Sequence, residues 1–286
     1  MSAVERDAMG AAVAVGGGAE ASALYRAWLR RVRLNRRLIV GTQLLLLLAF
    51  LLAWEVFPRL HWLNPMLTSY PSAIGPTFVA LVGSAGNEGN ILYHSWLTLM
   101  RSVIGFTLAM GLGIAIAVVL WWSTFLYRVL DPFLVVANAL PKIALVPIFY
   151  IWLGAISSIY GMAVAIAVFI TILMVFNGFK EIDQNKVKLV RTFGASRLQI
   201  LRKVILPGSV PTMIAALKVN VGLALVGVIV GEFQSAKAGL GFLIQYGSQI
   251  YQMNMVMTSI VILAIISTVM YALIAWLEVG VRRRRQ

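Results

Sequence analysis

An all-α, polytopic membrane protein with about six transmembrane helices is the fold class this sequence predicts. Three observations carry it. Hydrophobic residues make up 60% of the 286 and charged residues only 12%, too few charges to coat a soluble domain of that length. The apolar residues fall in long runs, and about 20 of them in helix cross about 30 Å of hydrocarbon at 1.5 Å per residue. The basic residues concentrate in alternate connecting segments, the pattern that fixes membrane orientation.

Residues 1–23 are rich in Ala and Gly, lack the basic-then-apolar order of a signal peptide, and read as a disordered tail. Leu24 to Arg37 is a short basic amphipathic stretch suited to lying on the cytoplasmic leaflet, so 1–37 is expected as a cytoplasmic tail and 38–286 as the transmembrane domain. Six runs are candidate spans: 38–57, 94–122, 132–153, 159–178, 212–233 and 256–278. Pro141 and Pro147 interrupt the third, which a membrane helix tolerates when neighbours satisfy the freed carbonyls. Between the first two spans, turns are expected at Asn64-Pro65, Tyr70-Pro71 and Gly75-Pro76, followed by an apolar stretch from Thr77 to Val82 and a surface loop from Gly83 to Gly89. Between the last two, Gly239-Leu240-Gly241 marks a turn before an amphipathic run.

With the N-terminus inside, 19 of the 24 Lys and Arg lie on the cytoplasmic side, and the opposite side keeps Arg59 and Lys237. Arg101, Lys142 and Lys218 fall within spans. The net charge of +14 therefore records topology, and no nucleic-acid partner is expected. There is no cysteine, and His61 and His94 read as interfacial side chains, so no metal site is expected.

The segment 179–210 is the most informative polar stretch. A bare connector needs a handful of residues, but this one has about thirty, with helical spacing and punctuation. Lys186 to Phe193 reads as two helical turns, Gly194 as a bend, Ser196 as the N-cap of a second helix from Arg197 to Ile205, and Pro207 as its terminator. A basic loop that only sets topology is the plainer alternative.

The run RTFGASRLQILRKVILP, from Arg191 to Pro207, resembles the cytoplasmic loop of ATP-binding-cassette importer permeases. That family's pattern is Glu-Ala-Ala, three residues, Gly, nine residues, then Ile-x-Leu-Pro. Gly194 stands for the glycine, Val204 for the isoleucine, and Leu206-Pro207 match, while Lys188-Leu189-Val190 replace Glu-Ala-Ala. NALPKIALVP, from Asn138 to Pro147, with Trp152-Leu153-Gly154, resembles the third span of the nitrate/sulfonate/taurine branch. Val230 to Phe233 and Ala238 to Ile244 resemble the end of its fifth span and the loop beyond.

The resemblance implies a type I importer permease. Two permease copies, expected as a homodimer, would surround one pathway, two ATPase subunits would sit beneath, and an extracytoplasmic solute-binding protein would deliver the solute. Lys188, Arg191, Gly194, Ala195, Ser196, Leu206 and Pro207 would form the ATPase-coupling segment. The chain has no Gly-x-x-x-x-Gly-Lys-Ser/Thr loop, so it is expected to be non-catalytic and to hold no cofactor, with ATP and Mg on the partner ATPase. The solute would be a small anion such as nitrate, a sulfonate or taurine, with bicarbonate or a vitamin-precursor pyrimidine as the alternatives within that branch. The segments 58–93 and 234–254 would form the outer face, docking the binding protein or closing the pathway.

Polar residues inside spans are the candidate pathway wall: Asn138, Lys142, Asn220 and Glu232. A charge at mid-bilayer costs roughly 2.5–3.5 kcal/mol on insertion scales, so Lys142 should face protein or water. It would serve an anion pathway, or snorkel from a broken helix. Lys218 reads as a snorkelling lysine, and Glu232 as a partner for a basic residue or a contact at the outer gate. Small residues four apart, Gly105, Ala109 and Gly113 on the second span and Gly227 and Gly231 on the fifth, read as packing seams. An ion-coupled secondary transporter is the alternative function. It would show internal inverted repeats, which are not evident, and would not need the long central loop. A membrane enzyme would need clustered His, Asp or Glu, which the chain lacks.

Overall fold

The structure is a computed structural model describing residues 18–84 and 89–283. Every regular element among the described residues is helical. Two units are distinguished, residues 1–65 and 66–286.

The first unit is dominated by α1, Gly18–Arg59. The expected disordered tail is helical from residue 18, and 1–17 lie outside the described residues. The basic stretch Leu24 to Arg37 runs into the first span without a break. Its leucines 44 to 48 are all exposed, the surface a helix presents to hydrocarbon. At its end Arg59 pairs with Glu55 at 2.6 Å, one turn back.

The second unit begins with the short helices α2 (Pro65–Thr68) and α3 (Pro71–Val82), then α4 (Ile91–Trp122). Asn90 starts α4 by accepting the N–H groups of Leu92 at 2.9 Å and Tyr93 at 3.4 Å. Ser123 alone separates α4 from α5 (Thr124–Ala139), and its Oγ caps α5 by accepting the Leu126 N–H at 3.2 Å. Pro141 stops α5. A 3₁₀ turn, Lys142–Leu145, leads into α6, Val146–Lys180.

Among the described residues, five helices are long and apolar enough to cross a membrane: Trp28–Arg59, Ile91–Trp122, Lys142–Lys180, Arg197–Gln234 and Met253–Gly280. The third folds back on itself at Gly154, whose φ of 77° and ψ of 175° are not helical. Contacts across the fold prove the reversal. Tyr127 and Phe176 rings lie 4.4 Å apart, Lys142 Nζ is 5.6 Å from the Phe169 ring, and a Cβ on Gly161 would come within 2.9 Å of Leu153. Along a straight helix Lys142 and Phe169 would be about 40 Å apart and Leu153 and Gly161 about 12 Å. One leg thus climbs from Thr124 to Leu153 and the next descends from Ala155 to Lys180. Six legs result, but the third starts at 124 rather than 132. Arg128 and Asp131, which fall between the expected spans 94–122 and 132–153, lie in the first turns of α5.

The polar segment forms α7 (Gln184–Thr192), the one-turn α8 (Arg197–Ile200) and a π-helical turn, Leu201–Ile205. The last leads straight into α9, Leu206–Ser235. Pro207 therefore does not end a helix, as the sequence suggests, but opens one. In the first turn its missing N–H is not needed, and the π turn shifts the ladder so that the Leu206 N–H reaches the Leu201 carbonyl. Two more helices complete the chain, α10 (Leu240–Gln249) and α11 (Met253–Arg283).

α6 lies at the centre, packed along both α4 and α9. The small-residue stripes are the seams. Gly105 and Gly113 of α4 meet Ala163 and Thr171, and Gly227 and Gly231 of α9 meet the backbone at Ala163 and Ile159. A Cβ at Gly227 would approach the Ala163 Cα within 2.5 Å, so only glycine admits that approach.

A basic hairpin at one end of the bundle and a buried ion pair at the other

Asp183 opens the hairpin by accepting the Asn185 N–H at 2.8 Å. α7 ends in a Schellman motif. Gly194, at φ 78°, donates its N–H to the Arg191 carbonyl at 2.9 Å, and the Ala195 N–H reaches Val190 at 3.4 Å. Ser196 then starts α8 with a capping box, since Gln199 N–H donates to Ser196 Oγ at 3.3 Å and Ser196 N–H donates to Gln199 Oε1 at 2.8 Å. The expected Gly194 elbow and Ser196 cap are both present.

One side of the hairpin is bolted down. Val187, Ile200, Leu201 and Ile205 are buried in one cluster with Leu120 of α4 and Phe176 and Phe179 of α6. Arg197 Nη1 also donates to the Trp122 carbonyl at 3.2 Å. The other side is open. Lys188, Arg191 and Ser196 are exposed, and so are three apolar side chains: Phe193 (81% exposed), Leu189 (58%) and Leu198 (44%). Phe193 and Leu189 were not picked out from sequence. Their signal was available: two large apolar residues four apart on a helix whose buried face is already supplied by Val187.

At the far end of α4 stands a second polar constellation, formed by α4, the end of α9 and the start of α10. Glu232 and His94 are completely buried, and Arg101 nearly so. Arg101 Nη1 donates to Glu232 Oε1 at 2.7 Å and to the Ala238 carbonyl at 2.6 Å. Thr98 Oγ1 lies 2.9 Å from Glu232 Oε2 and accepts the Leu240 N–H at 2.8 Å. Gly241 N–H donates to Glu232 Oε2 at 2.9 Å, which sets the carboxylate at the positive end of α10. His94 is not interfacial as expected. Its Nδ1 accepts the Gly239 N–H at 2.8 Å, and its ring stacks on Phe242. Gly239 has φ 125°, and a Cβ there would run into the Glu232 carboxylate. The corner from Ala236 to Gly241 is thereby tied to α4 and to the end of α9 by four side chains, three from α4 and Glu232 from α9, through three backbone N–H groups and the Ala238 carbonyl.

The family described as "Binding-protein-dependent transport system inner membrane component" matches residues 109–284, more than half of the chain. This chain belongs to that family.

Relatives of the permease include the taurine transport system permease protein TauC of Escherichia coli K12, 26% identical, with 86% of each chain covered. The formylaminopyrimidine transport permease protein ThiX of Halalkalibacterium halodurans is 30% identical over 69% of this chain and 77% of its own. Among solved structures, an inward-facing MetNI methionine ABC transporter matches with a TM-score of 0.59 at 20% identity, covering 68% of this chain and 96% of that one. That likeness confirms the fold, an all-helical type I importer permease.

The remaining polar residues of the permease are placed as follows. Lys142 is half-buried at the break after α5 and donates to the Asn138 carbonyl at 2.7 Å, capping a helix end that Pro141 leaves open. Asn138 is half-buried beside it. Asn220 is completely buried; its Nδ2 donates to the Ala216 carbonyl at 2.9 Å, and its Oδ1 has no hydrogen-bond partner among the described residues. Lys218 does not simply snorkel but pairs with Glu278 of α11. No group of three or more His, Asp or Glu able to hold a metal occurs among the described residues.

Proposed function

We propose that this permease forms the translocation pathway of an ATP-driven importer and receives its driving force at the hairpin from a separate ATPase. The single observation that carries this reading is the two-sidedness of the hairpin: a rigid, doubly capped elbow fixed to the ends of α4 and α6, with Phe193, Leu189 and Leu198 left uncovered. Large apolar side chains left uncovered on a fixed element among basic residues suit a docking site. In this reading Lys188, Arg191, Gly194, Ala195 and Ser196 seat in an ATPase groove. Leu206 and Pro207 pass the motion to α9 through the π turn. ATP and Mg reside on the ATPase.

The basic charge around the hairpin supports a cytoplasmic location for it and for both chain termini. The opposite end, with α10 and the corner at Gly239, then faces the solute-binding protein, and a second permease copy completes the pathway. The solute is a small anion of the sulfonate class. The taurine system's permease is a relative over most of the chain, and Lys142 supplies a half-buried cation at a helix break. Asn138, Asn220 and Glu232 remain candidates for the pathway wall in another state of the cycle.

Reconstitution tests the reading. Vesicles holding the permease, its ATPase and the binding protein should accumulate taurine or a related sulfonate only when ATP is present. Accumulation without the ATPase would replace this function by that of an ion-coupled carrier.

A further inference from the structure

Between the hairpin and the α4–α5 turn lies a cleft of about 260 Å³, which shares only Arg191 with the proposed coupling segment. Arg191 and Arg197 enter it from the hairpin, Trp122 and Thr124 from the turn, and Val187 and Ile200 form its floor. No acidic residue lines it. The hairpin's two acids, Glu181 and Asp183, lie at or before the start of α7, and Asp183 is engaged with the Asn185 N–H.

The donors in the cleft exceed the acceptors. The Arg191 guanidinium makes no hydrogen bond or ion pair with any described residue, and Arg197 commits one nitrogen to the Trp122 carbonyl. Thr124 is the first residue of α5, so the positive end of a 16-residue helix meets the same wall. Two guanidinium forks, a hydroxyl and a helix N-terminus around one cleft are a donor set matched to a tetrahedral oxyanion. Trp121 and Trp122 stand at the end of a membrane-crossing helix, the depth at which indole rings and lipid headgroups meet.

We propose that this cleft binds a phosphate-bearing anion, either the phosphodiester headgroup of an anionic phospholipid or a soluble phosphate. Such a ligand would bridge the hairpin arginines to the start of α5 and brace the hairpin against the bundle. Basic pockets between membrane helices on the cytoplasmic side take anionic headgroups in this way. The inference rests on the hairpin lying at the membrane surface, as proposed above, and not on the ATPase docking there.

Native mass spectrometry of the full-length permease, without its ATPase, tests it. Wild type should retain phosphatidylglycerol in preference to phosphatidylcholine. Arg197→Gln should lower that retention about fivefold, the loss of one charge-assisted contact partly screened by water. Lys203→Gln removes an exposed hairpin charge outside the cleft and should leave it unchanged. Should Arg197→Gln prove unstable, Arg191→Gln removes a side chain that bonds to nothing in the fold and should give the same loss. In neutral-lipid nanodiscs, a rise in melting temperature with inorganic phosphate that Arg197→Gln abolishes assigns the site to the soluble anion. Equal retention of both lipids with no phosphate shift overturns the proposal, and so does a loss in Lys203→Gln equal to that in Arg197→Gln. A permease that binds the anion normally but fails to recruit its ATPase would defeat the docking reading alone.

Discussion

The two ends of α4 carry charge in opposite ways. Near Ile91, one acid and one base are sealed inside the bundle and spend their hydrogen bonds on each other and on the backbone of one corner. Near Trp122, the hairpin charges stand on the surface, and most of their donors bond to no other described residue. A buried pair fixes geometry, because neither partner can leave without stranding the other in a medium that does not solvate it. An exposed group fixes little but remains available to a second molecule. The ion-pair end should therefore tolerate change badly and the hairpin end well, with the order of function reversed.

The largest effect is expected at Glu232. Glu232→Ala leaves Arg101 buried without a counter-charge and the Gly241 N–H without an acceptor, a change of the kind that destabilises by about 3–5 kcal/mol. Thermal unfolding of the purified permease should show the loss. Glu232→Gln, which keeps an acceptor for Gly241, should lose less. An unchanged melting temperature in Glu232→Ala would mean that the pair does not hold the corner.

Gly239→Ala should come next, at about 2–3 kcal/mol, because it combines a left-handed φ with a clash against the Glu232 carboxylate. The two sites share one carboxylate, so the double variant should lose clearly less than the sum of the single losses. Additive losses would separate the corner from the ion pair. Gly194→Ala makes the contrast at the hairpin. It too has a positive φ, 78°, but nothing lies within 4 Å of where its Cβ would go. Only the backbone term of about 1–2 kcal/mol remains, and it should appear as faster amide exchange confined to 190–196 rather than as a lower global melting temperature.

The same contrast explains what could be read from the sequence. Gly194, Ser196 and the helices they separate obey rules of backbone and capping that act within six residues, so the elbow was legible. The Arg101–Glu232 pair joins residues 131 apart, and its geometry is set by how α4 meets α9. The available hint was that two opposite charges placed at the same depth of different spans should find each other. Pro207 misled because its missing N–H ends a helix in mid-run but opens one in the first turn, and the π turn before it leaves no mark in the apolar pattern. The start of the third leg was missed for a related reason. Arg128 and Asp131 look like loop residues until Ser123 is recognised as the cap of α5.

Phe193→Ala should have the smallest effect on the fold and a large one on partnership. The side chain is 81% exposed, so truncation removes almost no packing and should change stability by no more than about 0.5 kcal/mol. If the hairpin seats in an ATPase groove, the same ring is a central apolar contact of the kind whose loss costs a complex about 2 kcal/mol or more, some thirtyfold in affinity. Titrating the ATPase onto immobilised permease measures this directly, with Leu189→Ala as a second point on the same face. Lys203→Ala, a charge change at another exposed hairpin position, should weaken binding far less, because a rim charge is worth under about 1 kcal/mol. Equal affinities for wild type and Phe193→Ala would leave the uncovered tip without a partner in the ATPase and would move the site of coupling to another surface of the permease.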